Sequence, residues 1–131
     1  MELLQRYIKE IEQDLKIDEF NIKEVQMRAP GRKHFWASRM INHKVELEKL
    51  KSDKLKLKKQ IIAALADKNE MNLSMAALEK AAENAAEVQT INDKLKELEF
   101  IVELLEKTEK TLASLSFDLS NCIKIMALEQ T

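Results

Sequence analysis

Glycine and proline are almost missing from this chain of 131 residues: there is one of each, Pro30 and Gly31, side by side. A chain with a single breaker pair lacks the turn residues of a many-stranded sheet protein, and without a glycine-rich loop it has no phosphate-cradling P-loop. Aromatic residues make up only 5% of it, against 34% charged residues. With so few large rings a compact monomeric core is thin, and association is expected to complete the burial. The lone Cys122 excludes an intrachain disulfide and leaves a reducing cytosol as the default compartment. No apolar run approaches the roughly 18 residues that span a bilayer, and Met1 to Tyr7 has no signal-peptide core. A soluble, cytoplasmic protein without a membrane partner is expected.

Catalytic and metal chemistry find as little support. Cys122 has no histidine near it in sequence, and Ser114, Ser116 and Ser120 have no adjacent general base. His34 and His43 are nine residues apart with no Cys, Asp or Glu at ligand spacing, so no metal site and no cofactor are expected. The carboxylates are spaced as solvated helix faces. The chain does not read as an enzyme.

What is present is helical periodicity. Leu4, Ile8, Ile11 and Leu15 share one face of a helix predicted over residues 2–16. From Ile17 to Ala29 the pattern nearly alternates, and the segment reads either as extended or as a short helix begun by Asp18. Pro30-Gly31 is the expected hinge. Beyond it, Trp36, Met40, His43, Leu47, Leu50, Lys54, Leu57, Ile61 and Ala64 recur at steps of four and three. That heptad seam predicts one long helix, about 45 Å over residues 36–64 at about 1.5 Å per residue. A turn is expected at Asp67 to Asn72, with Asn72 or Ser74 capping a helix through Ala76–Ala82. A second heptad follows at Val88, Ile91, Leu95, Leu98, Val102, Leu105, Leu112, Leu119, Ile123 and Met126, interrupted at Glu109 and Ser116. The fold class is therefore all-α. A single domain of long amphipathic helices with heptad seams is expected, divided into residues 1–29, a basic helix over 30–68 and a C-terminal helical region over 72–129.

Charge is polarised along this frame. Residues 28–60 hold eleven Lys and Arg against three acids, a formal +8 within a chain of net −1. Lys44, Lys51 and Lys58 form one line beside the seam and Lys49 and Lys56 a second, while Lys54 stands in the seam itself. One reading is a coiled coil whose cationic flanks pair with acids of a partner helix, as in a scaffold or assembly chaperone. The other is a polyanion surface. Lys54 to Lys59 holds four lysines in six residues, and neither Lys58 nor Lys59 has an acid three or four residues away. A phosphate backbone would compensate such density through counterion release. Trp36 falls on the seam register and belongs to the core. Phe35 and His34, beside Arg32, Lys33 and Arg39, are freer to stack on unpaired bases.

The order of an N-terminal helix, an Asp-led segment, Pro30, His34, Trp36, a lysine-rich helix and a long C-terminal helix resembles the UvsY family, the recombination mediators of T-even-type tailed phages. The resemblance is sharpest at Ala29 to Trp36, at Leu57-Lys58-Lys59-Gln60-Ile61 and at Phe117 to Glu129. The family carries a Leu-Lys-Ala-Arg-Leu-like motif implicated in binding single-stranded DNA. Leu57, Lys58 and Ile61 fit it, whereas Lys59 stands where a small residue is expected and Gln60 where an arginine is expected. The resemblance implies a non-enzymatic, ring-like homo-oligomer that binds single-stranded DNA. It also implies weakening of the single-strand-binding protein's hold and assistance to a RecA-like recombinase. On this reading Lys58, Lys59, Lys56 and Lys51 contact phosphates, with Lys44, Arg39 and Lys33 secondary. Val88, Leu95, Leu98, Val102 and Leu105 hold helices together within or between subunits, the family's oligomerisation being attributed to its C-terminal region.

Overall fold

A computed structural model of the chain describes residues 1–68 and 72–130. The fold is all-α: α1 (Glu2–Asp14), α2 (Ile22–Asp67), α3 (Met75–Glu83) and α4 (Ala86–Glu129), with no strand among the described residues. Asn69 to Met71, within the turn expected at 67–72, lie outside the described residues. The chain separates into two compact units, Met1–His43 with Phe100–Thr131, and Lys44–Glu99.

In the first unit, α1 buries Tyr7 and Ile11, with Leu3, Leu4 and Leu15 partly covered along the same side. The segment after it is set by reciprocal hydrogen bonds. The Asp18 carboxylate accepts from the backbone N–H groups of Phe20 and Asn21 at 2.7 and 2.9 Å, and the Asn21 side-chain oxygen accepts from the Asp18 N–H at 2.8 Å. Asp18 thereby satisfies donors that a starting helix leaves without partners, and α2 begins at Ile22. Of the two readings of residues 17–29 the helical one is the nearer: residues 22–29 are helical, but they open the 46-residue α2 rather than a short helix of their own, and residues 17–21 are not helical.

The expected hinge at Pro30-Gly31 is absent: α2 runs unbroken through both residues for 46 residues, about 69 Å at about 1.5 Å each. The reason is energetic. A proline inside a helix costs about 3 kcal/mol, because its N–H is missing and its ring crowds the preceding turn. Ile22, Val25 and Ala29 before it, and Trp36 and Met40 after it, are all buried in one core. Each large aliphatic residue so buried stabilises by about 1.5–3 kcal/mol. The apolar stripe outweighs the breaker, while Pro30 itself stays exposed and a side chain at Gly31 would meet nothing within 4 Å.

α4 completes this core with Ile101, Leu105, Leu112, Leu115 and Leu119. Its sequence heptad stalled at Glu109 and Ser116; both are exposed, and Thr108 and Leu115 are buried in their place. The buried positions step by three twice in succession, from Val102 to Leu105 to Thr108, which moves the seam one residue around the helix. Thr108 enters the apolar stripe because its hydroxyl is satisfied locally, donating to the Leu104 carbonyl at 2.8 Å.

The second unit joins the C-terminal part of α2, the short α3 and the start of α4, with Leu47, Leu78, Ala82, Val88 and Leu95 buried. Ser74 caps α3, its hydroxyl accepting from the Ala77 N–H at 3.2 Å, while Asn72 takes a positive φ of 50° that asparagine tolerates well. Along α2 the predicted seam holds: Leu47 is buried, and Leu50, Lys54, Leu57 and Ile61 are half-buried at their heptad positions, while Ala64 at its end is exposed.

Replacing Pro30 by Ala restores the missing donor on an exposed face. It should stabilise the protein by about 1–3 kcal/mol, read as a raised denaturant midpoint at unchanged helicity.

Candidate nucleic-acid interface

The cations of residues 28–60 divide by what they touch. In the first unit, Glu10 and Asp14 on α1 face Arg32, Trp36 and Arg39 on α2. Arg32 donates to Asp14 at 2.8 Å and pairs with Glu10 at 3.3 Å, and Arg39 pairs with Glu10 at 2.9 Å. The indole N–H of Trp36 donates to the same Asp14 oxygen at 2.7 Å. Burial works against the charge on Arg32, yet the hydrogen bond and charge of Asp14, followed by those of Glu10, outweigh it and raise its pKa further. Phe35 is held between the two arginines, whose guanidinium carbons lie 4.1 Å (Arg32) and 3.9 Å (Arg39) from its ring centroid. Trp36, only 1% exposed, belongs to the core as its register predicted. Lys33 is half-buried and donates to the Ser116 hydroxyl at 3.4 Å. Two of the secondary DNA-binding expectations, Arg39 and Lys33, are thus occupied within the subunit. His34 remains exposed.

In the second unit the lysines of α2 fall into two groups. Lys54 and Lys58 point to one carboxylate, that of Glu83 at the end of α3, at 3.2 and 2.9 Å, and the Asn92 side-chain amide of α4 donates to it at 3.1 Å. Three donors hold Glu83 ionised: hydrogen bonds from Lys58, Asn92 and Lys54 lower its pKa to about 2. Lys58 has no acid nearby on its own helix, and its partner comes instead from α3. It is the foremost expected DNA contact and also part of the internal packing of this unit.

Lys49, Lys56 and Lys59 form the second group: all are exposed, and among the described residues none makes an ion pair. At about 100° per residue they fall within roughly a quarter-turn, on the far side of α2 from Leu50, Leu57 and Ile61. Lys51 lies on the flank, within 3.6 Å of Glu48 and half-exposed; Lys44 is exposed nearby. Lys49 was missing from the expected contacts although it stands seven residues before Lys56 in the same line.

This scaffold has a counterpart among solved structures. The fold is similar to that of the bacteriophage T4 recombination mediator protein UvsY. The crystal structure of UvsY matches with a TM-score of 0.84, over 96% of this chain and 98% of that one, at 13% sequence identity. At that identity the likeness to UvsY establishes the fold alone. No protein-family model and no curated protein matches the sequence.

The helix-packing residues expected to hold helices together have a place within one chain. Val88 and Leu95 are buried in the second unit and Val102 and Leu105 in the first, while Leu98 is half-buried. No helix is long and apolar enough to cross a membrane among the described residues.

The depressed pKa of Glu83 has a pH consequence of definite sign. Its pKa falls from 4.5 to about 2 on folding, so its stabilisation is complete above about pH 4.5 and is lost as pH falls toward about 2. The difference in denaturant midpoint between the wild type and Glu83→Gln should be flat above about pH 4.5 and shrink below it; a difference unchanged down to about pH 2 contradicts the contact.

Proposed function

We propose that this protein is a non-enzymatic recombination mediator that binds single-stranded DNA and helps load a RecA-like recombinase onto DNA coated by single-strand-binding protein. The observation that carries this reading is the fold: a TM-score of 0.84 to a recombination mediator over nearly the full length of both chains. The charge distribution supports it. A molecule of net −1 keeps Lys49, Lys56 and Lys59 together on one helix face and outside any ion pair among the described residues, which leaves their ammonium groups open to an external anion. Lys51 and Lys44 flank that face, and they, like Lys58, Arg39 and Lys33, join it only by exchanging their present partners.

Three free lysines make a weak site. Strength then comes from assembly: a homo-oligomer presents the patch once per subunit, and avidity accumulates without any single tight contact. The C-terminal part of α4 leaves Phe117, Ile125 and Leu128 exposed at 71%, 56% and 74%, apolar surface of the kind a subunit interface buries. The protein is proposed to act in the cytoplasm.

The decisive test is binding of a fluorescently labelled oligo-dT, followed by anisotropy over a range of salt concentrations. Trp36 is too deeply buried to serve as the reporter. Affinity should fall log-linearly with salt, and failure to bind at low salt sinks the reading in favour of a scaffold whose lysines meet acidic partner helices. Replacing both Lys56 and Lys59 by Gln should flatten the salt slope by up to about 1.4, at about 0.7 per phosphate of a single strand. Light scattering of that variant should give the wild-type mass, since both side chains lie away from the buried seam.

A further inference from the structure

Lys54, Lys58 and Asn92 form a ready anion site, and the chain fills it with its own carboxylate. Two ammonium groups and one amide N–H converge on the Glu83 carboxylate at 3.2, 2.9 and 3.1 Å, from two helices that Glu83 itself does not belong to. Such a fork of charged donors around a planar anion is also what a phosphate group requires. The site is accessible: the side chains of Lys54, Lys58 and Glu83 are 25%, 27% and 39% exposed. Lys58 lies one helical turn from Lys54 and next in sequence to Lys59, so the filled site borders the free lysine face.

Glu83 is also poorly placed for its own helix. It is the last residue of α3, where the helix dipole is negative and a carboxylate is disfavoured. The Gln89 side chain ties its carbonyl back to α4 at 2.7 Å, and the chain turns at Asn84 and Ala85. What keeps the carboxylate there is the pair of lysines.

We propose that Glu83 is an internal competitor for nucleic-acid phosphate, a latch that withholds Lys54 and Lys58 from the polyanion. This inference rests on the DNA-binding reading above and assigns that site a regulating residue. In the latched state the face offers Lys49, Lys56 and Lys59. With the latch open it offers up to two more cations at the same edge. The competition filters anions: a strand bound at Lys49, Lys56 and Lys59 gains too little from one further phosphate to expel a carboxylate held by three hydrogen bonds. The wild type therefore binds with the latch closed, and the two lysines join only when the charge of Glu83 is removed.

The test compares wild type, Glu83→Gln and Glu83→Asp, each checked for helicity by circular dichroism and titrated with labelled oligo-dT. Glutamine retains the shape and removes the competing charge. Two recruited lysines steepen the log–log salt slope by about 1.4, so the loss of affinity between about 50 and about 200 mM salt grows about sevenfold over wild type. Adding Lys54→Gln should reduce that steeper slope in the Glu83→Gln background and leave the wild-type slope unchanged. The Glu83→Asp variant, one methylene too short to reach both lysines, should fall between the two and serves if Glu83→Gln does not fold. A folded Glu83→Gln or Glu83→Asp protein with the wild-type slope overturns the latch, while absence of binding by wild type overturns the DNA reading itself.

Discussion

Trp36 is the side chain on which the first unit depends. Its ring is almost fully enclosed, packed edge-on against Tyr7 and Phe35 with centroids 5.5 and 5.1 Å away. Its indole N–H would be a buried unsatisfied donor, a loss of about 1–3 kcal/mol, were it not bonded to Asp14. That single hydrogen bond determines the rest of the α1–α2 contact. Asp14 must be present to accept it, and an ionised carboxylate that close to a core needs compensation, which Arg32 supplies. Arg32 and Arg39 in turn bring in Glu10 and clasp Phe35. Tyr7, one side of the same cage, joins its hydroxyl to His43 Nε2 at 2.8 Å, so each of those two buried polar atoms has a partner.

This arrangement divides the basic stretch into parts with different duties. Arg32 and Arg39 serve the aromatic cage, and neither is available without dismantling it. Lys54 and Lys58 serve Glu83, at a half-exposed site. Lys49, Lys56 and Lys59 serve nothing within the described chain. Burial does not separate the two paired groups, since Arg32 and Arg39 are 28% and 31% exposed and Lys54 and Lys58 25% and 27%; what distinguishes the arginines is that their guanidinium groups also lie against the Phe35 ring. Of the basic stretch, Lys49, Lys56 and Lys59, which make no ion pair among the described residues, lie on the outer face of α2.

Helical periodicity was the most legible property of the chain. The α2 seam from Trp36 to Ile61 keeps its heptad register in three dimensions, because apolar spacing of three and four has one geometric meaning on a helix. The α4 seam was legible at Leu112, Leu119, Ile123 and Met126 as well as up to Leu105, and was interrupted only at Glu109 and Ser116. At those two places Thr108 and Leu115, one residue earlier, are buried instead, and a strict heptad cannot anticipate where 3.6-residue geometry will drift. Proline misled for a related reason. Its local penalty is fixed, whereas the burial that overrides it is supplied by helices distant in sequence.

The sequence by itself determined the helices, their polarised charge and the core position of Trp36, since these depend on residue spacing within about a turn or two. Only the tertiary structure decided which lysines remain free. Lys58 and Lys59 are neighbours of one type with the same local acids, yet one meets a carboxylate 25 residues further along the chain, at Glu83, and the other faces outward. Charge pairing across helices depends on which faces meet, and that is set by the packing of the apolar seams rather than by the order of the charges.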